Sequence, residues 1–237
     1  MKCAIMQPTY FPWAGYLNLI GRVDVFVFLD DAQYERGTWH NRNRVLLPDG
    51  PRWLTVPARR EFLGQAINQV RVDAAGDWRE KHLRLLAQSY ARHPHAADML
   101  GLAGLIRDAA LDSLAALNVS VATALARALG ITTRLLRSSE LGAAGRRSER
   151  VIAICERLGC DEYVSPAGAA QYLAEDRFTE RTAVHLSFSD FVPAPYPQAG
   201  RRDFVSHLSI LDVIANLGLP GAAGYVSAGA PHTAAAT

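Results

Sequence analysis

Hydrophobic and polar positions change their spacing several times along the chain, and each change predicts an element. Residues 3–6 form a short apolar run that Pro8 and Pro12 break into a loop, and residues 13–23 carry apolar side chains at near-helical spacing up to Asp24. Residues 25–29 are then continuously apolar and stop at Asp30 and Asp31, the pattern of a strand buried on both faces of a parallel sheet. Strand, helix, strand is therefore the predicted opening. From Trp39 the pattern shortens: residues 44–47, a turn over 48–51 and residues 53–56 predict a hairpin decorating the sheet edge, and residues 67–72 alternate as a further strand. Asp77 is placed to cap a helix through Tyr90, which Pro94 ends, and the Ala- and Leu-rich stretch 96–129 predicts two or three more helices. Beyond Gly130, residues 132–136 read as strand, 148–158 as a helix closed by Gly159, 162–165 as strand, 169–174 as a short helix, 183–188 as strand, and 209–217 as a helix ended by Gly218. Strands alternating with helices at both ends predict an α/β fold, a mostly parallel sheet covered by helices, with a helical insertion at about residues 77–129. One domain over residues 1–228 is expected, followed by a disordered Ala-rich tail at 229–237.

Composition changes this picture little. Hydrophobic residues are 49% and charged residues 20% of the 237, which excludes disorder and fibrous repeats. The net charge is +2 with the arginines dispersed, so a nucleic-acid footprint is weak and nucleic acid enters only as an aminoacyl carrier. Lys2 and Gln7 interrupt the first residues, leaving no secretory signal, and no stretch approaches the roughly 18 apolar residues of a membrane span. A cytoplasmic location is expected. Cys3, Cys155 and Cys160 read as small buried hydrophobes, and the histidines show no zinc spacing.

Open parallel sheets place ligands beyond the carboxyl ends of their strands, which selects three loops. The first, from Gln7 to Tyr16, combines two prolines, aromatics and a glycine; Gln7, Tyr10 and Tyr16 offer hydrogen-bonding groups, or the aromatics simply cover the sheet edge. The second carries Asp30, Asp31, Gln33 and Tyr34; one acid is expected to face the site and the other to cap a turn or bond Arg42, since neighbours on a strand point opposite ways. Asn41, Arg42 and Asn43 follow, suited to carboxylate or phosphate, though polar turns are common. The third has Ser165 and Tyr172 about a turn at a helix start. Gln198, His207 and Asp212 add polar groups near the last helix; there the bland readings are a loop histidine and an N-cap at Ser209.

Taken together, MKCAIMQPTYFPWAGY, DVFVFLDDAQY, NRNRV, WLTVP, YVSPAGAAQYL, YPQ and LSILDVIANLG resemble, in order and spacing, the WbqC-like protein family, from Met1 to about Gly218. The resemblance implies a place in the synthesis of surface polysaccharides such as O-antigen, with a glycyl or other aminoacyl group transferred to an amino sugar. Pro166 stands where the family usually has glycine, and the Ala-rich tail lies outside the shared pattern. The opening also resembles nucleotidyltransferase-like, Rossmann-like enzymes, with Trp13 and Tyr16 in the places of two histidines that stabilise a transferring phosphate. Aromatic rings cannot supply that charge, so adenylyl transfer by this route is not expected.

The leading expectation is a transferase that forms an amide between an acyl or aminoacyl donor and an amine on a nucleotide-linked amino sugar. Asp30 or Asp31 is the candidate base, with Gln7, Tyr10, Asn41, Arg42 and Asn43 orienting substrate. The alternatives are a nucleotidyltransferase or ligase with magnesium at the two aspartates, and a non-catalytic protein that binds a sugar nucleotide or a partner.

Overall fold

In the computed structural model, which describes residues 1–59, 61–74, 76–198 and 201–228, the elements follow the hydrophobic pattern closely at the two ends of the chain. β1 (Lys2–Met6), α1 (Ala14–Gly21) and β2 (Val25–Phe28) form the opening unit, with all four residues of β2 buried. The hairpin is β3 (Arg42–Leu47) and β4 (Gly50–Thr55), followed by the two-residue strands β5 (Ala58–Arg59) and β6 (Arg71–Val72). The helical insertion holds α2 (Trp78–Tyr90), α3 (Ala96–Ala103) and α4 (Leu114–Ala128). Then come β7 (Arg134–Arg137), α5 (Ser138–Leu141), α6 (Arg147–Leu158), β8 (Glu162–Pro166), α7 (Ala170–Glu175), α8 (Phe178–Arg181), β9 (His185–Ser189) and α9 (Ile210–Ala228).

The main sheet is parallel throughout, in the order β7-β2-β1-β8-β9. From β1 the chain builds outward through β2 to β7, then returns to lay β8 on the other side of β1 and β9 beyond it. The strand order thus reverses between β1 and β8, where the loops leaving the carboxyl ends part and open a crevice. Alternation along the strands divides the core. Ala4, Phe26, Phe28 and Val164 face a cluster built with α1, α2, α3, α4, α9 and the hairpin, while Cys3, Ile5, Val25, Val27 and Tyr163 face α6, α7 and α8. All three cysteines are buried and free, with Cys3 Sγ 3.5 Å from Cys155 Sγ.

The hairpin is present as expected, as a two-stranded sheet of its own in which β3 and β4 pair with each other, while β7 and β9 are the edges of the parallel sheet. Several expectations for other segments need correction. Residues 67–72 are mostly not strand, because 67–69 form a single 3-10 turn and pairing is confined to Arg71 and Val72 against β5. Asp77 sits at the N-cap of α2 without capping it; its carboxylate is drawn to Lys81 at 2.9 Å and Arg84 at 2.6 Å. Gly218 does end a helix, with φ 69° and ψ 176°, but Pro220 starts a second helix that runs to Ala228. This makes α9 long and apolar enough to cross a membrane by length and composition, contrary to the expectation that no segment is. It is nevertheless broken at Gly218, carries the buried Asp212, and packs on α1 and α3. The tail expected at 229–237 lies outside the described residues.

Candidate functional site

The crevice at the carboxyl ends is a cavity of about 1130 Å³, lined from every strand of the sheet's central part. Gln7, Trp13 and Tyr16 come from the segment after β1, Asp31 and Gln33 from that after β2, Arg146, Arg147 and Arg150 from the start of α6, and residues 166–169 with Tyr172 from that after β8.

The first loop is held rigidly by buried amides. Asn43 Nδ2 donates to the carbonyls of Tyr10 (3.2 Å) and Phe11 (2.7 Å), stabilising Phe11 at φ 41°, and Asn118 Nδ2 donates to the carbonyls of Pro8 (3.2 Å) and His40 (2.7 Å). The amide of Ile210 donates to Pro12 from the last helix at 2.9 Å. So fixed, the loop places the Trp13 indole across Gly15, where an added Cβ would lie only 2.3 Å from the ring. Phe191 meets that ring edge-on at 5.6 Å and His207 lies 4.9 Å away. The Tyr16 hydroxyl turns inward, donating to the Gln7 carbonyl at 3.0 Å, and burial pushes its pKa well above the usual phenol range.

The two acids behave differently. Asp30 is buried and accepts bonds from Ser138 Oγ (3.1 Å), Ser139 N (3.0 Å) and Ser139 Oγ (2.8 Å), so it fixes the start of α5. Asp31 is partly exposed in the cleft, accepts from Ser138 Oγ at 2.5 Å and pairs with Arg150. Both acids therefore converge on one hydroxyl. They are not divided between opposite faces, because they lie in a turn beyond the end of β2, where strand alternation no longer applies. Arg42 bonds neither; the serines and Arg150 take that place.

On the other wall, Gly145 turns the chain at φ 97°, packed so tightly that a Cβ would sit 2.9 Å from Glu149 Cβ, and α6 begins directly after it. Arg147 is tied to Asp176 and Glu175, which raise its pKa, and stands 5.7 Å over the Tyr172 ring. The guanidinium groups of Arg146, Arg147 and Arg150 favour an anion, whereas the first amides of α6 are already taken, Ser148 N by Asp176 Oδ2 at 3.3 Å and Glu149 N by the Arg146 carbonyl at 3.1 Å. Among the described residues, no group of three or more His, Cys, Asp or Glu is placed to hold a metal ion.

The cleft brings together Gln7, Tyr16, Asp31, Gln33 and Tyr172. Other candidates lie elsewhere. Tyr10 is wholly buried, 3.0 Å from His82 Nδ1; Asn41 and Asn43 bond backbone; Arg42 stacks on Trp53; Tyr34 and Ser165 are buried in the walls behind the cleft loops. Gln198 and Asp212 join a separate buried network with Tyr90 and Tyr196, and His207, outside the cavity lining, lies against the Trp13 ring and bonds Ser206 Oγ at 2.9 Å. Sequence reasoning missed Ser138, Ser139 and the three arginines. A glycine followed by two arginines at a predicted helix start was a usable signal; for the serines there was none, since their role depends on β7 lying beside β2.

The comparisons with known proteins extend over nearly all of the chain. The model of the WbqC-like protein family matches residues 7–222, a span that includes every cleft-lining segment from Gln7 to Phe191. The chain is also 34% identical over 226 residues to the "Uncharacterized protein Rv1507c" of Mycobacterium tuberculosis, covering 92% of this chain and 94% of the relative. No solved structure matches. On the strength of that match, the chain belongs to the WbqC-like protein family.

Proposed function

We propose that the protein is a transferase that moves an acyl or aminoacyl group, glycyl among the candidates, to the amine of a nucleotide-linked amino sugar held in the cleft. The observation that carries this reading is that Asp31 is the sole carboxylate among the described cleft-lining residues, facing a wall of three arginines and the Trp13 ring. The arginines suit the phosphates of such a substrate, and Trp13 and Tyr172 offer apolar faces to its rings. Gln7 and Gln33 supply hydrogen bonds that orient it.

An amine attacks an acyl carbon only with its lone pair free. As the C–N bond forms and the bond from the acyl carbon to the donor's sulfur or oxygen breaks, the amine's proton passes to the Asp31 carboxylate, which Ser138 and Arg150 hold in place, and from there to the departing thiolate or alkoxide. Asp30, saturated by Ser138 and Ser139, is a positioning residue in this scheme. Nucleotidyl transfer has less support, because Trp13 and Tyr16 line the cleft where two histidines would be needed, the Tyr16 hydroxyl is spent on the Gln7 carbonyl, and neither aromatic side chain offers a cation to a phosphate.

The test is to incubate the protein with amino-sugar nucleotides and a panel of acyl-coenzyme A and aminoacyl-tRNA donors, and to follow amide formation by mass spectrometry. Asp31→Asn should lower turnover by at least about a hundredfold while substrate affinity stays within a few-fold. Turnover that survives Asp31→Asn would remove the base assignment, and tight binding without product from any donor would leave a sugar-nucleotide-binding protein.

A further inference from the structure

The outward face of the β3–β4 hairpin carries an aromatic and cationic cluster that the cleft does not use. Register places Arg44 opposite Trp53 and Arg42 opposite Thr55, so these side chains share one face while Asn43, Val45 and Leu54 fill the core from the other. Trp53 is 40% exposed, and Trp39, from the loop before the hairpin, is 41% exposed. Their rings pack against each other, with centroids 5.4 Å apart and planes tilted by 55°. The Arg42 guanidinium lies 4.2 Å over the Trp53 ring and is backed by Gly37, and that of Arg44 lies 5.8 Å away. Neither is paired with a carboxylate among the described residues: Arg44 donates only to the carbonyls of Ser206 and His207, and the Nε atoms of both are buried without a partner.

We propose that this face is a second binding site, for an acidic oligosaccharide. Two guanidinium groups without carboxylates are held at fixed positions, Arg42 by cation–π contact and Arg44 by two carbonyls, and such groups select carboxylate or phosphate substituents. The tilted pair selects the ring: indoles in contact at 55° offer no parallel faces for a flat base to enter between, whereas the C–H groups of a puckered pyranose lie across the exposed parts of both at once. Arg44 also donates to the His207 carbonyl, and the His207 ring lies 4.9 Å from that of Trp13, so the hairpin is tied through His207 to the loop that borders the cleft. The proposal stands on the hairpin alone and does not require transfer chemistry in the cleft.

The full chain is titrated calorimetrically with an oligogalacturonate, a neutral malto-oligosaccharide of equal length and a single-stranded oligonucleotide. The acidic oligosaccharide should bind at least about tenfold more tightly than the neutral one, and its affinity should fall as salt is raised. Trp39→Ala, Trp53→Ala and Arg42→Gln should each weaken it by about tenfold or more. Circular dichroism identifies any variant that fails to fold, and Trp39→Ala, in a loop, keeps the test open if Trp53→Ala is lost. Binding of an amino-sugar nucleotide, which Trp39→Ala leaves in place, reports on the cleft separately. No binding of the acidic oligosaccharide, binding indifferent to all three substitutions, or tighter binding of the oligonucleotide would each overturn the assignment.

Discussion

Asp212 is wholly buried, and its carboxylate accepts hydrogen bonds from Tyr90 Oη at 2.8 Å, Tyr196 Oη at 2.5 Å and Gln198 Nε2 at 3.3 Å. Desolvation raises its pKa, and those three donors offset only part of the rise. Below about pH 4 the group is neutral in both states; above that the unfolded chain ionises first, so stability is lost as pH rises towards the folded pKa. Asp212→Asn lacks this term. Urea denaturation at several pH values should therefore show the variant gaining on the natural protein as pH rises from about 4, then levelling off. A difference constant with pH would mean that the carboxylate titrates alike in both states. Asp212→Ala, which orphans both tyrosine hydroxyls, should cost about 3 kcal/mol. His82 works in the other direction. Burial pushes it down to about 4, so the unfolded chain takes up its proton first, and stability is lost as pH falls from about 6.5 to 4, by on the order of 3 kcal/mol. His82→Gln should flatten that acid limb in the same denaturation series.

Among the elements, those whose burial is set by local sequence were legible and those set by remote contacts were not. β2 announced itself because both faces are covered, and α6 because an amphipathic stretch ends in Gly159 at φ 67°, where the left-handed conformation favours glycine. The four-residue α5 and α8 gave no periodic signal. The site followed the same division: its loops could be placed from strand ends, but the partners of Asp30 and Asp31 come from residues 138–150, more than a hundred positions away. The break in α9 is an element-scale device with a testable cost. At Gly218 a Cβ would meet the His95 ring at 2.9 Å, in a backbone conformation that side chains rarely adopt. Gly218→Ala should destabilise the fold by roughly 2–4 kcal/mol, lowering the urea midpoint. An unchanged midpoint would show that the helix can straighten there without loss.

For the whole molecule, the reversal of strand order between β1 and β8 explains why groups from such distant parts of the chain meet. Asp31 belongs to the β2 side and Arg150 to a helix covering the opposite face of the sheet from α1, so their ion pair ties the crevice together across the sheet's upper edge. A ligand bridging the arginine wall and Trp13 would reinforce that tie, because it binds the folded crevice and has no counterpart site in the unfolded chain. At a hundredfold excess over its dissociation constant such a ligand adds about 2.7 kcal/mol, which for a domain of this size raises the melting temperature by roughly 5–10 °C. A thermal-shift series with an amino-sugar nucleotide should show that rise in the natural protein and lose most of it in Arg146→Gln, whose guanidinium lines the cavity. Asn216→Ala, on α9 outside the lining, should retain the shift even if its own melting temperature falls. A shift kept in Arg146→Gln and lost in Asn216→Ala would move the ligand out of the crevice and onto the network around Asp212, to which Asn216 belongs.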